Sequence, residues 1–190
     1  MVWKRCLVVL CAMVCLGSVA SGGEPVRLFD GSSLDHWKVI ACEAEIVDGA
    51  ILLKSGNGLV QTKKCYGDYT FTFEWKALHP ELWDSGIYFR YDEVPEGRPW
   101  PRKYQVNLRR NMEGDLVGFE DAQNELPVKP HEWNRFELTV KGKTASLKVD
   151  GKLAWEATGL EQKEGHIALQ AEIPGGGQFL FRNISITELD

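Results

Sequence analysis

Thr70-Phe71-Thr72-Phe73-Glu74-Trp75-Lys76 and Ser85-Gly86-Ile87-Tyr88-Phe89-Arg90-Tyr91 are the two stretches whose reading decides the fold. Side chains of an extended strand alternate between its two faces. In the first stretch Phe71, Phe73 and Trp75 point one way, and Thr70, Thr72, Glu74 and Lys76 point the other. In the second, Ile87, Phe89 and Tyr91 form the apolar side and Tyr88 and Arg90 the opposite one. The two read as neighbouring strands whose polar residues are in phase. Glu74 and Arg90 are therefore expected to share one solvent-facing sheet surface.

The same rhythm continues on both sides. Short alternating runs recur at Ala44 to Val47, Ala50 to Lys54, Gly58 to Thr62, Lys103 to Leu108, Asn134 to Lys141, Thr144 to Val149, Lys152 to Thr158, Gly165 to Glu172 and Gln178 to Leu189. No segment carries a helical period, and Gly, Pro, Asn and Asp punctuate the chain at short intervals, as in an antiparallel sandwich. Asp48-Gly49 and Asp150-Gly151 are two-residue hairpin signals, and Lys141-Gly142-Lys143 joins two further runs. Thr139 to Trp155 thus reads as a three-stranded meander. Two stretches rich in Pro and Gly, Asp92 to Arg102 and Asn111 to Pro130, read as long loops of the kind that carry function.

Extending the phase argument gathers a set of polar residues. Gln105 alternates with Tyr104 and Val106, and Gln170 and Glu172 alternate with Leu169 and Ala171. If these strands are neighbours, Glu74, Arg90, Gln105, Gln170 and Glu172 converge on one concave surface. Each alone reads more readily as simply the wet side of its strand. Together, two acids, a guanidinium and two amides suit a hydroxyl-rich ligand such as a sugar. Trp83 and Trp100 flank this face in loop-like sequence, where an indole can stack on a sugar ring. Asp84 stands at a strand entry, placed either to stabilise a turn or to contact a ligand or metal.

Composition narrows the setting. The 190 residues carry a net charge of -5 without a basic run, which argues against a nucleic-acid partner. Lys4 and Arg5, the apolar stretch Leu7 to Leu16 and Ser18-Val19-Ala20 read as a cleavable signal peptide over residues 1–20, too short in its apolar part to span a bilayer permanently. Residues 21–190 are then one domain of about 170 residues, enough for a substantial core. The expected location is periplasmic or secreted, with no membrane attachment after cleavage. Of five cysteines, Cys6, Cys11 and Cys15 leave with the leader; Cys42 and Cys65 remain, and either a disulfide or two free thiols fits the sequence. Neither has a ligand-like Cys or His at metal spacing, so no zinc site is expected.

With these residues in view, the chain resembles the 3-keto-disaccharide hydrolase family, also called 3-keto-glucoside lyase/hydratase. The resemblance runs from Leu28-Phe29-Asp30-Gly31-Ser32-Ser33-Leu34-Asp35-His36-Trp37 through Tyr66-Gly67-Asp68-Tyr69, Glu74-Trp75-Lys76, Ser85-Gly86-Ile87-Tyr88-Phe89-Arg90, Glu132-Trp133-Asn134-Arg135 and Ile167-Ala168-Leu169-Gln170 to Phe181-Arg182-Asn183-Ile184-Ser185-Ile186. It implies an all-β, concanavalin A-like jelly-roll sandwich of two antiparallel sheets with a ligand-binding concave face. The implied activity is cleavage of glycosides whose C3 hydroxyl has been oxidised to a ketone. Such a ketone acidifies the C2 hydrogen, so a carboxylate can remove it, and the enolate then expels the C1 substituent before water adds. On this reading Glu74 or Glu172 is the base, and Arg90 or a bound divalent metal stabilises the enolate. Gln105 and Gln170 hold hydroxyls, and Asp84 and Trp100 contact the sugar. Three departures stand out. Asp84 replaces the usual Asn before Ser-Gly, Lys103 replaces an acid found in many relatives, and Gln170-Ala171-Glu172 leads into an expanded Ile173-Pro174-Gly175-Gly176-Gly177. The alternative to an enzyme is a carbohydrate-binding module without turnover.

Overall fold

The computed structural model describes residues 23–190, so the signal-peptide reading of residues 1–20 lies outside the described residues. Alternation of apolar and polar residues becomes eleven strands: β1 Val26–Phe29, β2 Trp37–Val47, β3 Ala50–Thr62, β4 Tyr69–Ala77, β5 Gly86–Tyr91, β6 Gln105–Asn107, β7 Asn134–Lys141, β8 Thr144–Val149, β9 Lys152–Thr158, β10 His166–Ile173 and β11 Phe179–Glu188. Among the described residues there is no helix, and hence none long and apolar enough to cross a membrane. All pairings are antiparallel, in the order β6-β5-β10-β3-β11-β4-β7-β8-β9, with β1 added to β11 and β2 to β3. The expected meander is β7-β8-β9. Asp48 and Gly49, and likewise Asp150 and Gly151, take positive φ in the two tight turns, as a type I′ hairpin requires.

The hydrogen-bonded path is continuous, yet it makes two layers because β3 belongs to both. Its first half, Ile51 to Leu53, pairs with β11, and its second half, Gly56 to Gln61, pairs with β10. The turn between them is at Gly56, whose φ is +89° and where a Cβ would stand 2.8 Å from the Ala41 carbonyl oxygen. Opposite it, β2 bulges at Ala41, also at positive φ. Bends and bulges of this kind are how a strand passes from one layer of a sandwich to the other. Separate alternating runs at Ala44 to Val47 and Gly58 to Thr62 are consequently the ends of longer strands.

Between the layers lies one core. Phe71, Phe73 and Trp75 of β4, Phe136 and Leu138 of β7, and Phe179 and Phe181 of β11 face Ile87 and Phe89 of β5, Val106 of β6 and Ile167 and Leu169 of β10. Phe136 packs against both Phe73 and Trp75, at centroid separations of 5.7 and 5.6 Å. Removing one such ring costs about 3–5 kcal/mol. A second, smaller apolar cluster lies on the opposite face of the β3-β10-β5 layer: Leu59, Ala168, Tyr88 and Tyr91, with Val94 and Trp100 laid over it from the loop after β5. That outer face holds the candidate site.

Candidate active site

The tripeptide Asp84-Ser85-Gly86 at the entry to β5 has a distinct task at each position. The buried Ser85 hydroxyl donates to the Gln170 backbone carbonyl at 2.7 Å, tying the start of β5 to β10. Gly86 leaves a gap: a Cβ there would collide with the Gln105 amide. Through that gap Gln105, on β6, lies across the intervening β5 and reaches β10, where its Nε2 donates to Gln170 Oε1 at 2.6 Å. Gln170 Nε2 in turn donates to Glu172 Oε2 at 2.8 Å. Asp84 is pinned by the glycine-rich loop after β10, its backbone N–H donating to the Gly176 carbonyl at 2.8 Å. Gly176 packs so tightly on the Asp84 backbone that a side chain there would overlap it. The expansion after Glu172 therefore buttresses the site.

Asp84 and Glu172 line one depression of about 440 Å³ together with Trp83, Arg109, Arg110 and Asn111. Burial pushes the Glu172 carboxyl above the usual carboxylate range, the Asp84 charge pushes it further, and Arg109 opposes both. Asp84 is likewise raised by burial and drawn back by Arg109, whose Nε lies 3.6 Å from Asp84 Oδ2. The Tyr88 phenol is pushed up to about 12 by burial and by the Glu172 charge, so it stays a protonated donor at neutral pH. A half-buried carboxylate with a raised pKa beside a second acid and an exposed guanidinium is suited to accepting a proton. Arg109 was not singled out by the sequence; its signal is its place immediately after the alternating run Lys103 to Leu108.

The structure thus brings together Asp84, Gln105, Gln170 and Glu172. Gln170 is buried, and its amide spends both ends on Gln105 and Glu172, so it positions Glu172 and does not hold a ligand itself. Trp100 lies over the neighbouring Tyr88-Tyr91 cluster and donates its indole N–H to the Ala171 carbonyl at 3.2 Å, a wall of the face more than a free platform. Trp83 is buried, bonded to Glu113 Oε1 at 2.8 Å and capped by the Arg110 guanidinium 5.4 Å from its ring, leaving no open face for stacking.

Two expected members stand elsewhere. Arg90 is a bulged residue: His166 pairs with Tyr91 and Ile167 with Phe89, so Arg90 has no partner on β10, and its φ is +47°. The extra residue reverses the alternation, sending Tyr91 to the groove face beside Tyr88 and turning Arg90 away. Arg90 is fully buried and donates to the carbonyls of Gly67, Gly142 and Gln162 and to Asp68 Oδ1 at 2.6 Å. It is a structural hub and has no access to an enolate in the groove. Glu74 lies on the other layer, where Arg182 Nε at 2.7 Å and Asn183 Nδ2 at 2.9 Å bind its two oxygens. Burial raises its pKa, but these two donors more than offset that and leave it low. The shared Glu74-Arg90 surface is therefore replaced by the Asp84-Glu172 groove. Lys103, at the position of the missing acid, is exposed and bonded to Glu161 at 2.6 Å.

Cys42 is half-buried and Cys65 exposed, and both are free thiols. Among the described residues no three His, Cys, Asp or Glu side chains converge as a ligand set. The groove's two carboxylates alone do not form the all-protein cage of a resident divalent cation.

The fold is shared with several solved antiparallel β-sandwiches. A putative glycosyl hydrolase from Parabacteroides distasonis superposes with a TM-score of 0.71 at 16% identity, covering 88% of this chain and 100% of that one. Carbohydrate-binding module CBM66 from Bacillus subtilis superposes at 0.62, with 13% identity over 80% of this chain and 94% of that one. For the Bacillus licheniformis β-glucanase the values are 0.57 and 14%, over 90% and 99% of the two chains. At these identities the likeness is one of fold. A sequence search of curated proteins gives no significant match. The profile of the 3-keto-alpha-glucoside-1,2-lyase-like domain, by contrast, matches residues 24–187, which include every groove residue described above and all of the strands but the last residue of β11. By that match the chain belongs to the 3-keto-alpha-glucoside-1,2-lyase-like domain family.

Proposed function

We propose that the protein is an exported enzyme that cleaves 3-keto-glycosides, with Glu172 as the base. The observation that carries this reading is the state of Glu172: ionisable, held by Gln170, raised in pKa and open to a depression that Arg109 also lines, with the Tyr88 phenol close enough to feel its charge. In the reaction Glu172 takes the C2 proton of the sugar, and the C2–H electron pair moves toward C3 to give the enolate. The Arg109 guanidinium or the Tyr88 hydroxyl stabilises the developing oxyanion. Collapse of the enolate breaks the C1–O bond, the departing oxygen takes up the proton that Glu172 removed, directly or through water, and water then adds across the C1–C2 double bond, its hydroxyl to C1 and a proton to C2. A general base of this kind contributes about 10²–10⁴-fold to rate.

The test is release of the aglycone from a chromogenic 3-keto-glucoside compared with the same glucoside unoxidised. Release from the keto substrate alone is expected, falling about 10²–10⁴-fold in Glu172→Gln with KM little changed. Absence of release from keto-glycosides of either anomer by folded protein removes the enzyme reading. Saturable sugar binding without turnover would then establish a binding module, a role in keeping with the CBM66-like fold.

A further inference from the structure

On the layer opposite the Glu172 groove, outward residues of three neighbouring strands stand in one row. Arg27 of β1 is opposite Ser185 of β11, and Ser185 is opposite Thr72 of β4. Arg135 of β7 stands in the next row of the same face, opposite Glu74. These side chains line a depression of about 260 Å³, beneath which lie the buried Phe29 and Ile184.

Three backbone irregularities make the hollow. β11 advances three residues, from Arg182 to Ser185, while β4 moves two, from Glu74 to Thr72, and the bulged Asn183 has a φ of +51°. β1 bulges beside it, passing from Arg27 to Phe29 while β11 moves only from Ser185 to Ile184. Gly31, at φ +96°, then brings the turn after β1 against the β2-β3 hairpin, where a Cβ on it would stand 3.4 Å from the Gly49 carbonyl oxygen. Bulges of this kind bend a strand and re-aim its side chains, and they concentrate beside functional sites.

The hollow retains hydrogen-bonding capacity of both signs. Glu74 is occupied by Arg182 and Asn183, and Glu137 by Lys148 at 2.9 Å, with Arg135 Nη2 farther off at 3.6 Å. Among the described residues no carboxylate lies within salt-bridge distance of Arg27. Asp30, on the rim, accepts from the Ser32 N–H and hydroxyl at 2.9 and 2.7 Å through Oδ1, which holds its carboxyl below the usual range and leaves Oδ2 for a visitor. Thr72 and Ser185 add hydroxyls that both give and accept.

We propose that this hollow is a second saccharide site, for a single uronic-acid unit: a pyranose that carries a carboxylate. Arg27 takes the carboxylate in a two-pronged contact. Arg135, Thr72 and Ser185 meet ring hydroxyls, and Asp30 accepts from one of them. Three strand spacings, about 14 Å of backbone, separate Arg27 from Arg135, so both reach one small ring from opposite rims. The volume lies just under the roughly 300–1,000 Å³ of drug-sized sites and admits one ring, not a chain. A bare anion has no hydroxyls for these partners and is opposed by Asp30, whereas a neutral sugar leaves Arg27 unpaired. The hollow serves an enzyme and a binding module equally, so it stands apart from the reading of Glu172.

Methyl β-D-glucuronide is the probe, titrated into the full chain and followed by proton–nitrogen correlation spectra at the Thr72 and Ser185 amides. Saturable shifts are expected there, with affinity falling as salt is raised. Methyl β-D-glucoside, which lacks the charge, and acetate, which lacks the ring, should each bind at least about fivefold more weakly. Arg27→Ala should weaken the glucuronide about tenfold or more, and Arg27→Lys should recover only part of the loss. Thr72→Val, a near-isosteric exchange in a strand, should weaken the glucuronide and leave acetate unchanged. Near-ultraviolet circular dichroism establishes that each variant is folded. Absence of saturable shifts at these amides overturns the proposal, as does unchanged affinity in folded Arg27→Ala or Thr72→Val. Acetate binding as tightly as the glucuronide would mark an adventitious ion only, and equal binding of the glucoside would remove the role of Arg27. Aglycone release from the 3-keto-glucoside should be the same in Arg27→Ala as in wild type, so failure here and failure of cleavage at Glu172 are read separately.

Discussion

Glu74 and Glu172 are both strand carboxylates on outward sheet faces, each receiving an amide hydrogen bond, and they end in opposite electrostatic states. Glu74 has a donor on each oxygen, one of them the Arg182 guanidinium, which itself lies 3.9 Å over the Trp133 ring. Glu172 has one amide donor and a neighbouring acid, and its nearest guanidinium is 62% exposed and divided between two carboxylates. The first layer quenches its charge and becomes a wall. The second leaves its charge under-compensated and retains chemical potential for a proton. The same residue type in the same strand phase is thus scaffold in one layer and candidate base in the other, and the difference lies in who donates to it.

The largest expected effect tests whether Arg90 belongs to the wall. Arg90→Met removes the cation paired with Asp68 and the donor to three backbone carbonyls, leaving Asp68 only the Gly142 N–H, and should destabilise the protein by about 3 kcal/mol in urea unfolding. A variant of unchanged stability that has lost turnover would return Arg90 to the catalytic side of the comparison.

A smaller effect sharpens the groove. Gly86→Ala, at a glycine with an ordinary β-strand φ, should push Gln105 off Gln170 and cut keto-glycoside turnover about tenfold while lowering stability by about 1 kcal/mol. Parallel Gln105→Ala kinetics should match it. A Gly86→Ala enzyme with full activity would mean that the Gln105-Gln170-Glu172 chain is incidental.

The smallest effect compares the two acids directly, by thermal unfolding against pH. Glu172 has a folded-state pKa above its unfolded value, so ionising it costs stability as pH rises. Glu172→Gln should therefore melt above wild type at pH 7, with the gain gone below pH about 4. Glu74 has the opposite sign: its contribution is present above the unfolded pKa and is lost as pH falls through the lower folded one. Glu74→Gln should melt slightly below wild type at pH 7, by about 0.5 kcal/mol once solvent screening is allowed for. Shifts of the same sign for both would erase the contrast.

Period-two alternation made most of the fold legible: the meander, both Asp-Gly hairpins and the phase that joins Gln105, Gln170 and Glu172 were readable without coordinates. Two limits of that reasoning account for what it misplaced. Alternation assigns a residue to a side of its strand but not to a layer, so Glu74 could be in phase with Glu172 and yet face away from it across the core. A bulge inserts one residue without a marker in composition, and here the inserted residue is Arg90, whose left-handed backbone is uncommon for a residue with a Cβ. Asp84 was legible as a polar residue at a strand entry. Its partner Arg109 was not, because a residue past the end of a strand has no phase to read.

The run from Gln105 through Gln170 to Glu172 also has a direction. An ionised carboxylate can only accept, so Gln170 must offer it the amide nitrogen, and its carbonyl must then accept from Gln105. Gln105 is thereby committed to turning its nitrogen inward, where one of its two N–H groups is spent on Gln170. The order holds only while Glu172 is ionised: once it has taken up a proton it can donate in its turn, so the base's own reaction loosens the chain that positions it.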